Sequence, residues 1–225
     1  MIAVHDARFR YTDSAAGVEL HVGRFEVAPG QHVAVTGASG SGKTTLLHLI
    51  AGLHVPSSGS VLVLGNRLDE MPDAPRRLLR RTAIGMVFQE FELLSYLSVT
   101  ENILLPLTLG AQRPTQAHVS RANALAERAG LGAYMGKKPD VLSQGERQRV
   151  GICRALLHEP SLVLCDEPTG NLDPATTARM TDLLCTEARR IRAGLVMVSH
   201  NHSELGRFDR TVDMSAFSTI TGGAL

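Results

Sequence analysis

The sequence has no tryptophan, few aromatic residues (4%) and only three cysteines in 225 residues. Cys153, Cys165 and Cys185 are widely spaced in apolar surroundings, which predicts reduced core thiols in a cytoplasmic protein. No pair has the close spacing of zinc ligands. Lysine and arginine (23) nearly balance aspartate and glutamate (22), so the formal net charge is +1. This balance argues against binding through a basic surface, and we expect no nucleic-acid partner.

Long apolar runs are also missing, although hydrophobic residues make up 44% of the chain. No run approaches the roughly 18 to 20 residues needed to cross a bilayer. The first ten residues lack the basic segment followed by an apolar segment that marks a secretory signal. We therefore expect that the chain is not itself a membrane protein, and that it forms one full domain or two small lobes that share a core.

Apolar runs and helical patterns alternate along the chain in an order typical of a parallel sheet. Strands are predicted at residues 18–27, 32–36, 60–64, 84–88, 162–165 and 195–198. Helices are predicted at residues 43–51, 115–129, 144–158 and 175–193. Gly52 stands where a left-handed C-cap is expected, and Asp173 with Pro174 marks the start of the last helix. The middle segment contains no convincing strand, which predicts a helical insertion within an α/β sheet domain.

The segment Gly37-Ala-Ser-Gly-Ser-Gly-Lys-Thr44 fits the phosphate-loop pattern G-x-x-x-x-G-K-[ST] and lies between a predicted strand and a predicted helix. Its glycines let successive N–H groups and the helix N-terminus point into one anion-sized hollow. Lys43 can neutralise the outer phosphates, and the Thr44 hydroxyl can join a magnesium shell. The residues predicted to bind nucleotide here are Gly37, Ser39, Gly40, Ser41, Gly42, Lys43, Thr44 and Thr45. The loop alone leaves a kinase, a GTPase, a transporter motor and a DNA-repair ATPase open.

Polar residues follow three apolar strands, at the rim where parallel sheets bind their ligands. Asp166 is predicted to hold magnesium beside Thr44, and Glu167 to accept a proton from the water that attacks the terminal phosphate. Gln89 and His200 follow two other strands and are predicted to converge on the same rim. The alternative for each of these residues is a solvated strand end with no function.

A second motif follows in the helical region. Its residues, Leu142-Ser-Gln-Gly-Glu146, then Arg147-Gln-Arg-Val and Arg154-Ala-Leu, resemble the signature of ATP-binding-cassette (ABC) ATPases. The match covers nearly the whole chain, because other motifs occur in the family's order and spacing: residues 37–44, Gln89, Asp166-Glu167, Asn171-Leu-Asp173 and His200. The chain is therefore identified as a member of the ABC ATPase family.

The resemblance implies an α/β fold: a P-loop NTPase core with an antiparallel β lobe and an inserted α-helical subdomain. It implies a single ABC ATPase domain over residues 1–225. The nucleotide-binding core with the β lobe is expected at residues 1–89 and 159–225. The helical insertion, which carries the signature, is expected at residues 90–158.

The resemblance also implies ATP and Mg²⁺ as cofactors and a second copy of the chain as partner. In a head-to-tail pair, Ser143 and the N–H of Gly145 would meet the terminal phosphate bound to Lys43 of the partner subunit. Ser143 and Glu146 also fit an S-x-x-E capping box, which accounts for both residues without any function. Asp173 resembles the residue that communicates across this interface, although a position as N-cap would explain it equally.

Three more roles come from the resemblance. Tyr11 matches the place of the aromatic that stacks on adenine, with a plain strand residue as the alternative. Gln89 resembles the family's link between the magnesium site and a membrane partner, and His200 resembles the contact to the terminal phosphate. Three positions depart from the family pattern: Gln144 replaces the usual signature glycine, Glu146 stands where glutamine is common, and Asn201 replaces the aspartate that commonly follows the histidine.

We expect an ATPase at the cytoplasmic face of the inner membrane that pairs on ATP and drives a separate integral-membrane permease. Residues 88–94, 98–106 and 168–174 look most like subunits of the lipoprotein-release and macrolide-export type. The same branch includes cell-division ATPases, so a mechanical or signalling module without cargo is the alternative. A P-loop kinase is a third reading.

The sequence does not determine the role of two further segments. Four arginines share one face of a predicted helix: Arg76, Arg77, Arg80 and Arg81. This face is either solvated or in contact with a membrane partner or lipid head groups. Residues 215–225 carry no pattern that predicts a structure.

Overall fold

The computed structural model describes residues 1–11, 18–89, 92–109, 113–170, 172–200 and 202–221. The strands are β1 Ile2–Arg10, β2 Glu19–Val27, β3 His32–Thr36, β4 Ser58–Val63, β5 Asn66–Arg67, β6 Ile84–Val87, β7 Leu162–Asp166, β8 Gly194–Val198, β9 Arg210–Asp213 and β10 Ser218–Thr221. The α-helices are α1 Lys43–Ile50, α2 Asp73–Ala83, α3 Val99–Leu109, α4 Gln116–Arg128, α5 Gln144–Leu156 and α6 Pro174–Arg190. Short 3-10 helices lie at Gly132–Tyr134, Pro139–Val141, His202–Arg207 and Met214–Ala216.

A parallel sheet in the order β6-β7-β8-β3-β9 forms the centre of the molecule. Its inner strands are apolar along their length, because residues on both faces are buried. The parallel sheet predicted from the order of strands and helices is confirmed. The edge strand β9 was not predicted, since its residues are only half-buried or exposed and form no apolar run.

A second, antiparallel sheet in the order β10-β2-β1-β4-β5 packs at one side of the core. Its central strand β1 pairs with β2 and with β4. The last described strand, β10, pairs with β2, so that Ser218 lies opposite Val22 and Thr221 opposite Glu19. The sequence predicted no structure for this terminal segment, because isolated four-residue strands that are mostly exposed lack a hydrophobic pattern.

The helical insertion contains α3, α4 and α5, of which α3 was not predicted. The missed helix has Pro106 in its interior, a residue that normally argues against a helix. Asn102 of α3 is completely buried, and its amide binds the turn before the helix. Its Nδ2 donates to the carbonyl oxygens of Leu94, Leu97 and Ser98 at 3.0–3.1 Å. A buried asparagine therefore fixes the turn before α3 through hydrogen bonds, next to the buried apolar residues of the same helix.

The parallel sheet separates two apolar clusters. Val163 and Cys165 face a cluster shared with α3 to α6, whereas Leu162 and Leu164 face a cluster shared with α1 and the antiparallel sheet. This alternation with a period of two places one sheet between two cores. Among the described helices, none is long and apolar enough to span a bilayer.

An ion pair joins the insertion to the core. Arg128 of α4 donates from Nε and Nη2 to the two carboxylate oxygens of Glu187 on α6, at 2.7 and 3.1 Å. Arg190 donates from Nε to the same carboxylate at 2.9 Å. The Glu187 side chain is only 4% exposed, so the pair fixes α4 against α6 in a largely buried position.

Candidate functional site

The carboxyl ends of the parallel strands converge on one edge of the sheet. The phosphate loop follows β3, Asp166 ends β7, and Asp213 ends β9. Gln89 and His200 each lie two residues beyond β6 and β8. The predicted rim of strand-end residues is thus formed by neighbouring strands, as a parallel sheet requires.

The phosphate loop turns sharply into α1 at Gly42. This residue has a φ of +90° and is the N-cap of α1. This φ favours glycine, and a Cβ at Gly42 would also lie 2.8 Å from Cδ1 of Leu20, which would have to move. No side chain caps the helix, which leaves the N–H groups of its first turn directed at the hollow where an anion can bind.

Lys43 is buried beneath the loop that it belongs to. Its Nζ donates to the carbonyl oxygens of Gly37 at 3.0 Å and Ala38 at 2.8 Å. Burial lowers the pKa of Lys43, and the nearby carboxylates of Glu167, Asp166 and Asp213 oppose this shift. The ammonium group therefore lies at the centre of the site with acids on the opposing strand ends.

Thr44 and Asp166 come together as predicted. The Thr44 hydroxyl donates to Oδ1 of Asp166 at 3.2 Å. Burial raises the pKa of Asp166; the Thr44 hydrogen bond opposes this shift, and the neighbouring Glu167 adds to it. The described residues contain no cluster of three acidic, histidine or cysteine ligands. One hydroxyl and one carboxylate nevertheless fit Mg²⁺, which usually keeps several waters and takes oxygens from substrate phosphates.

Glu167 and His200 form the second pair at this rim. Nε2 of His200 lies 2.6 Å from Oε1 of Glu167. Glu167 has a φ of +44°, in the left-handed region that non-glycine residues rarely adopt. Its N–H donates to the carbonyl of Val198 on β8 at 3.1 Å, which fixes the residue at the strand end.

Gln89 lies next to this pair. A Cβ built on Gly170 would lie 3.7 Å from Nε2 of Gln89 and 3.8 Å from Oε2 of Glu167. Both side chains therefore approach the same small residue. The structure brings Gln89 beside Glu167, and no described hydrogen bond joins it to Thr44 or Asp166.

Tyr11 lies at the edge of the phosphate loop, although it belongs to the antiparallel sheet. Its hydroxyl is hydrogen-bonded to the Thr45 hydroxyl on α1. Its ring meets Phe9 edge to face at a centroid distance of 5.0 Å, and Phe9 stacks on His54 at 4.3 Å. Tyr11 as a whole is 38% exposed. This placement leaves part of an aromatic surface open beside the phosphate loop.

The signature residues form the predicted capping box. Ser143 is the N-cap of α5, and its hydroxyl accepts from the N–H of Glu146 at 3.3 Å. The Glu146 carboxylate accepts from the N–H of Ser143 at 2.7 Å. These bonds with Ser143 lower the pKa of Glu146, so the carboxylate is held ionised at the start of the helix. Ser143 itself and Gln144 remain exposed.

Gly145 of the signature lies close to Thr176, whose N–H donates to Asp173. A Cβ at Gly145 would lie 3.0 Å from Cγ2 of Thr176 in the first turn of α6. Asp173, the N-cap of α6, accepts hydrogen bonds from the N–H groups of Ala175 and Thr176 at 3.1 and 3.0 Å. The helix start predicted at Asp173 and Pro174 is confirmed. Asn171 and Asn201 lie outside the described residues.

A cavity of about 290 Å³ opens above the phosphate loop. It is lined by Tyr11, Val18, Leu20, Ser39, Gly40, Gly42, Lys43, Thr44, Thr45, Glu167, His200 and Ile220. Within the part of the chain that the structure describes, no signature residue lines it. Most of the predicted loop residues thus share one cavity with Glu167 and His200. Gly37, Ser41, Asp166 and Gln89 are not among its lining residues, and neither are Ser143, Gly145 and Asp173.

Asp213 is a site residue that the sequence did not predict. It ends β9 beside the loop, and hydrogen bonds from Ser215 lower its pKa, with further contributions from Thr36 and Lys43. Its charge lies near Lys43 from the side opposite to Asp166 and Glu167, since β3 separates β9 from β8 and β7. The four-residue strand that carries it shows no apolar run, so no signal in the sequence pointed to it.

Comparisons with known proteins agree with this geometry. A family model described as ABC transporter matches residues 20–170. The lipoprotein-releasing system ATP-binding protein LolD of Pseudomonas syringae pv. tomato is 44% identical over 187 residues, which cover 83% of this chain and 82% of that protein. LolD of Xanthomonas axonopodis pv. citri is 44% identical over 188 residues, or 84% of this chain and 77% of that protein.

A solved structure supports the fold. The ATP-binding cassette MJ0796, in a dimeric post-hydrolysis state bound to ADP and Pi, matches with a TM-score of 0.84 at 29% identity, covering 95% of this chain and 94% of the other. The expected P-loop NTPase core with an antiparallel lobe and helical insertion is confirmed. By sequence and by fold, the chain belongs to the ABC transporter family and is an ATP-hydrolysing subunit of a transporter.

Proposed function

We propose that this subunit pairs with a second copy of itself on binding ATP, and that the pair drives a membrane permease that releases lipoproteins. The observation that carries the proposal is the separation of the nucleotide cavity from the signature residues within one chain. Residues 1–89 and 159–225 serve as the nucleotide-binding unit, and residues 90–158 as the unit that presents the signature. The similarity to LolD proteins favours lipoproteins as cargo. A permease partner places the proposed site of action at the cytoplasmic face of the inner membrane.

The phosphate loop holds the nucleotide. The N–H groups at the start of α1 and the Lys43 ammonium bind the phosphates, so Lys43 exchanges its carbonyl partners at Gly37 and Ala38 for phosphate oxygens. Mg²⁺, when bound, offsets the charge of the phosphates during transfer. Thr44 and Asp166 would hold it, since their oxygens already lie 3.2 Å apart, and Gln89 at the neighbouring strand end would complete its surroundings. Ser39, Gly40, Ser41, Gly42 and Thr45 shape the same cradle.

Glu167 acts as the general base. Its carboxylate accepts the proton of the attacking water, and His200 orients the carboxylate through the 2.6 Å contact and meets the terminal phosphate. The left-handed backbone at Glu167 aims its side chain over the loop. The half-open Tyr11 ring offers a surface on which a base can stack.

The partner copy completes the site. Ser143 and the N–H groups of the first turn of α5, including that of Gly145, provide an anion-binding helix end that is exposed in the single chain. Glu146 keeps Ser143 in place, and Asp173 lies behind Gly145 across Thr176. ATP thus holds the pair together, and hydrolysis releases it.

The permease contact is assigned to a groove between the core and the helical insertion. This groove has a volume of about 660 Å³ and a mainly apolar lining, with Leu53 and Leu109 45% and 74% exposed. Arg77, Arg80 and Arg81 of α2 line one side. Phe88 also lines the groove, so the chain passes directly from the groove to Gln89 beside the catalytic pair.

The test replaces Glu167 with glutamine. E167Q should still bind ATP and should accumulate as an ATP-bound dimer, while turnover falls at least about 100-fold because no base accepts the proton of water. Gel filtration with light scattering and a phosphate-release assay measure the two effects. Wild-type turnover in E167Q, or a single chain at every ATP and protein concentration, would contradict the proposal.

A further inference from the structure

Glu204 is a buried carboxyl that does not line the nucleotide cavity. It lies in the 3-10 helix His202–Arg207 and is 1% exposed. Its Oε2 accepts a hydrogen bond from the Thr169 hydroxyl at 3.4 Å. Burial raises the pKa of Glu204, and the hydroxyls of Thr181 and Thr169 oppose this shift.

The contact joins the two segments that carry the catalytic pair. Thr169 lies two residues after Glu167, and Glu204 lies four residues after His200. The Glu167–His200 contact of 2.6 Å and the Thr169–Glu204 contact of 3.4 Å therefore bridge the same two segments at two points. One contact lies at the open rim, whereas the other lies in the interior.

The segment at Glu167 needs such support because its backbone is strained. A left-handed conformation at a non-glycine residue is energetically unfavourable, and it persists only where the surroundings fix it. Within this turn, the N–H of Gly170 donates to the carbonyl of Glu167, and the N–H of Leu172 donates to that of Thr169, both at 3.2 Å. The Glu204 contact adds an interior tie between the turn and the segment of His200, beside the backbone bond from Glu167 to Val198 at the strand end.

Packing alone does not explain a glutamate at this position. Among the described residues, Glu204 Oε1 and the Thr181 hydroxyl of α6 have no hydrogen bond of ordinary geometry, although Thr181 lies close enough to oppose the rise in the pKa of Glu204. A buried polar atom without a partner costs free energy that an apolar side chain of similar size would not. Its hydrogen bond with Thr169 therefore explains the glutamate at this position better than a contribution to the stability of the fold does.

We propose that Glu204 is a positioning residue for ATP hydrolysis, which acts through Thr169 to keep Glu167 at hydrogen-bond distance from His200. The inference rests on the proposed roles of Glu167 and His200. Neither Thr169 nor Glu204 is among the residues that line the nucleotide cavity, so their loss should affect turnover and leave nucleotide affinity unchanged.

The experiment measures kcat and KM for ATP in T169V, E204A, E204Q and the double variant T169V/E204A. T169V and E204A should each lower kcat about 10-fold or more, because small misplacements of a reacting group cost this much, with KM within about twofold of wild type. E204Q keeps an oxygen that can accept from Thr169 and should restore most of kcat. The double variant should be no worse than the worse single variant, since both remove one contact.

The matched control is D182N. Asp182 binds Arg207 of the same 3-10 helix at the surface, so D182N also weakens the attachment of this helix to α6 and should leave kcat unchanged. Wild-type kcat in T169V, a loss of kcat in D182N equal to that in T169V, or a rise in KM that matches the fall in kcat would overturn the proposal. If E204A does not fold, T169V and E204Q decide the question.

E167Q measured in parallel separates the two hypotheses. If E167Q is inactive and T169V is fully active, the positioning role of Glu204 fails and the role of Glu167 stands. If E167Q turns over ATP like the wild type, the proposed general base is wrong, and the positioning role fails with it.

Discussion

Arg128 of the helical insertion binds both carboxylate oxygens of Glu187 on the core helix α6, at 2.7 and 3.1 Å. The two residues are 59 positions apart in the chain, so the pair couples the insertion to the core directly. Parallel bonds of this kind fix orientation as well as distance. The pair therefore helps to set the orientation of the helical insertion relative to the core, and with it the orientation of the signature residues.

The stability of the chain should depend on pH through Glu187. Burial alone would raise the pKa of Glu187, but the bonds from Arg128 and Arg190 outweigh it, and the pKa lies below the ordinary glutamate value of 4.5. The stabilisation is therefore fully present above about pH 4.5 and is lost as the pH falls through the folded-state pKa. E187Q should lower the free energy of unfolding by about 1 to 3 kcal/mol at pH 7, and urea unfolding at several pH values measures this.

The difference between wild type and E187Q should shrink as the solution becomes acidic. E26Q is the control, because Glu26 binds Arg24 and His5 at an exposed position of the antiparallel sheet, where ion pairs contribute little. A difference for E187Q that stays constant down to pH 3 would contradict the assignment.

Replacing Gly145 with alanine should weaken ATP-dependent pairing without affecting ATP binding by the single chain. The added Cβ would lie 3.0 Å from Cγ2 of Thr176, so either Thr176 or the first turn of α5 must give by a few tenths of an ångström. We expect a loss of pairing affinity of about tenfold, or about 1.4 kcal/mol, in the E167Q background, measured by analytical ultracentrifugation. T176S removes the crowding methyl group and should recover part of the loss.

The control for this prediction is G136A, since a Cβ at Gly136 meets no atom within 4 Å. It should pair like its parent. If G145A pairs as tightly as G136A, the first turn of α5 does not contact the partner's nucleotide.

Tyr11 should contribute to base binding through its ring and not through its hydroxyl. Y11F removes only the bond to Thr45 and should keep the Kd for ATP within about threefold, whereas Y11A should raise it about tenfold, as expected for one lost stacking contact. Inorganic tripolyphosphate, which has no base, should bind both variants equally. An equal rise in the Kd for ATP in Y11F and Y11A would show that ATP binding depends on the hydroxyl bond and not on ring stacking.

Changes in the groove should uncouple the subunit from its permease. R81E and L109S alter a charged and an exposed apolar residue of the lining, and each should reduce recovery with the permease in detergent about tenfold. The ATP turnover of the isolated subunit should not change. L78S is the control, because Leu78 is exposed on α2, the helix of Arg81, and does not line the groove. An equal loss of permease recovery in L78S would contradict the assignment of the groove as the contact.

The sequence predicted the phosphate loop and its neighbours because their chemistry is local. The loop Gly37–Thr44 lies between a strand and a helix, and Asp166 directly follows an apolar run, so each could be placed without knowledge of the tertiary structure. The capping box of Ser143 and Glu146 is likewise set by residues three positions apart. Short spacings of this kind remain visible in a single sequence.

Elements that depend on distant partners could not be predicted. Strand β9 has no apolar run of its own, so neither it nor Asp213 gave a signal. Helix α3 contains Pro106, and tertiary burial of its apolar residues outweighs the missing hydrogen bond. The contact of Thr169 with Glu204 spans 35 positions, and only the fold brings these residues together.

The pairing of β10 with β2 has a consequence for how the chain is made. On the ribosome, β2 emerges first, and its neighbour at residues 218–221 follows roughly 200 residues later, a delay of about 10 to 40 seconds at ordinary translation rates. During that interval the nascent chain exposes one hydrogen-bonding edge of β2, which can pair with other chains. Shielding of that edge during synthesis should therefore affect the yield of native protein.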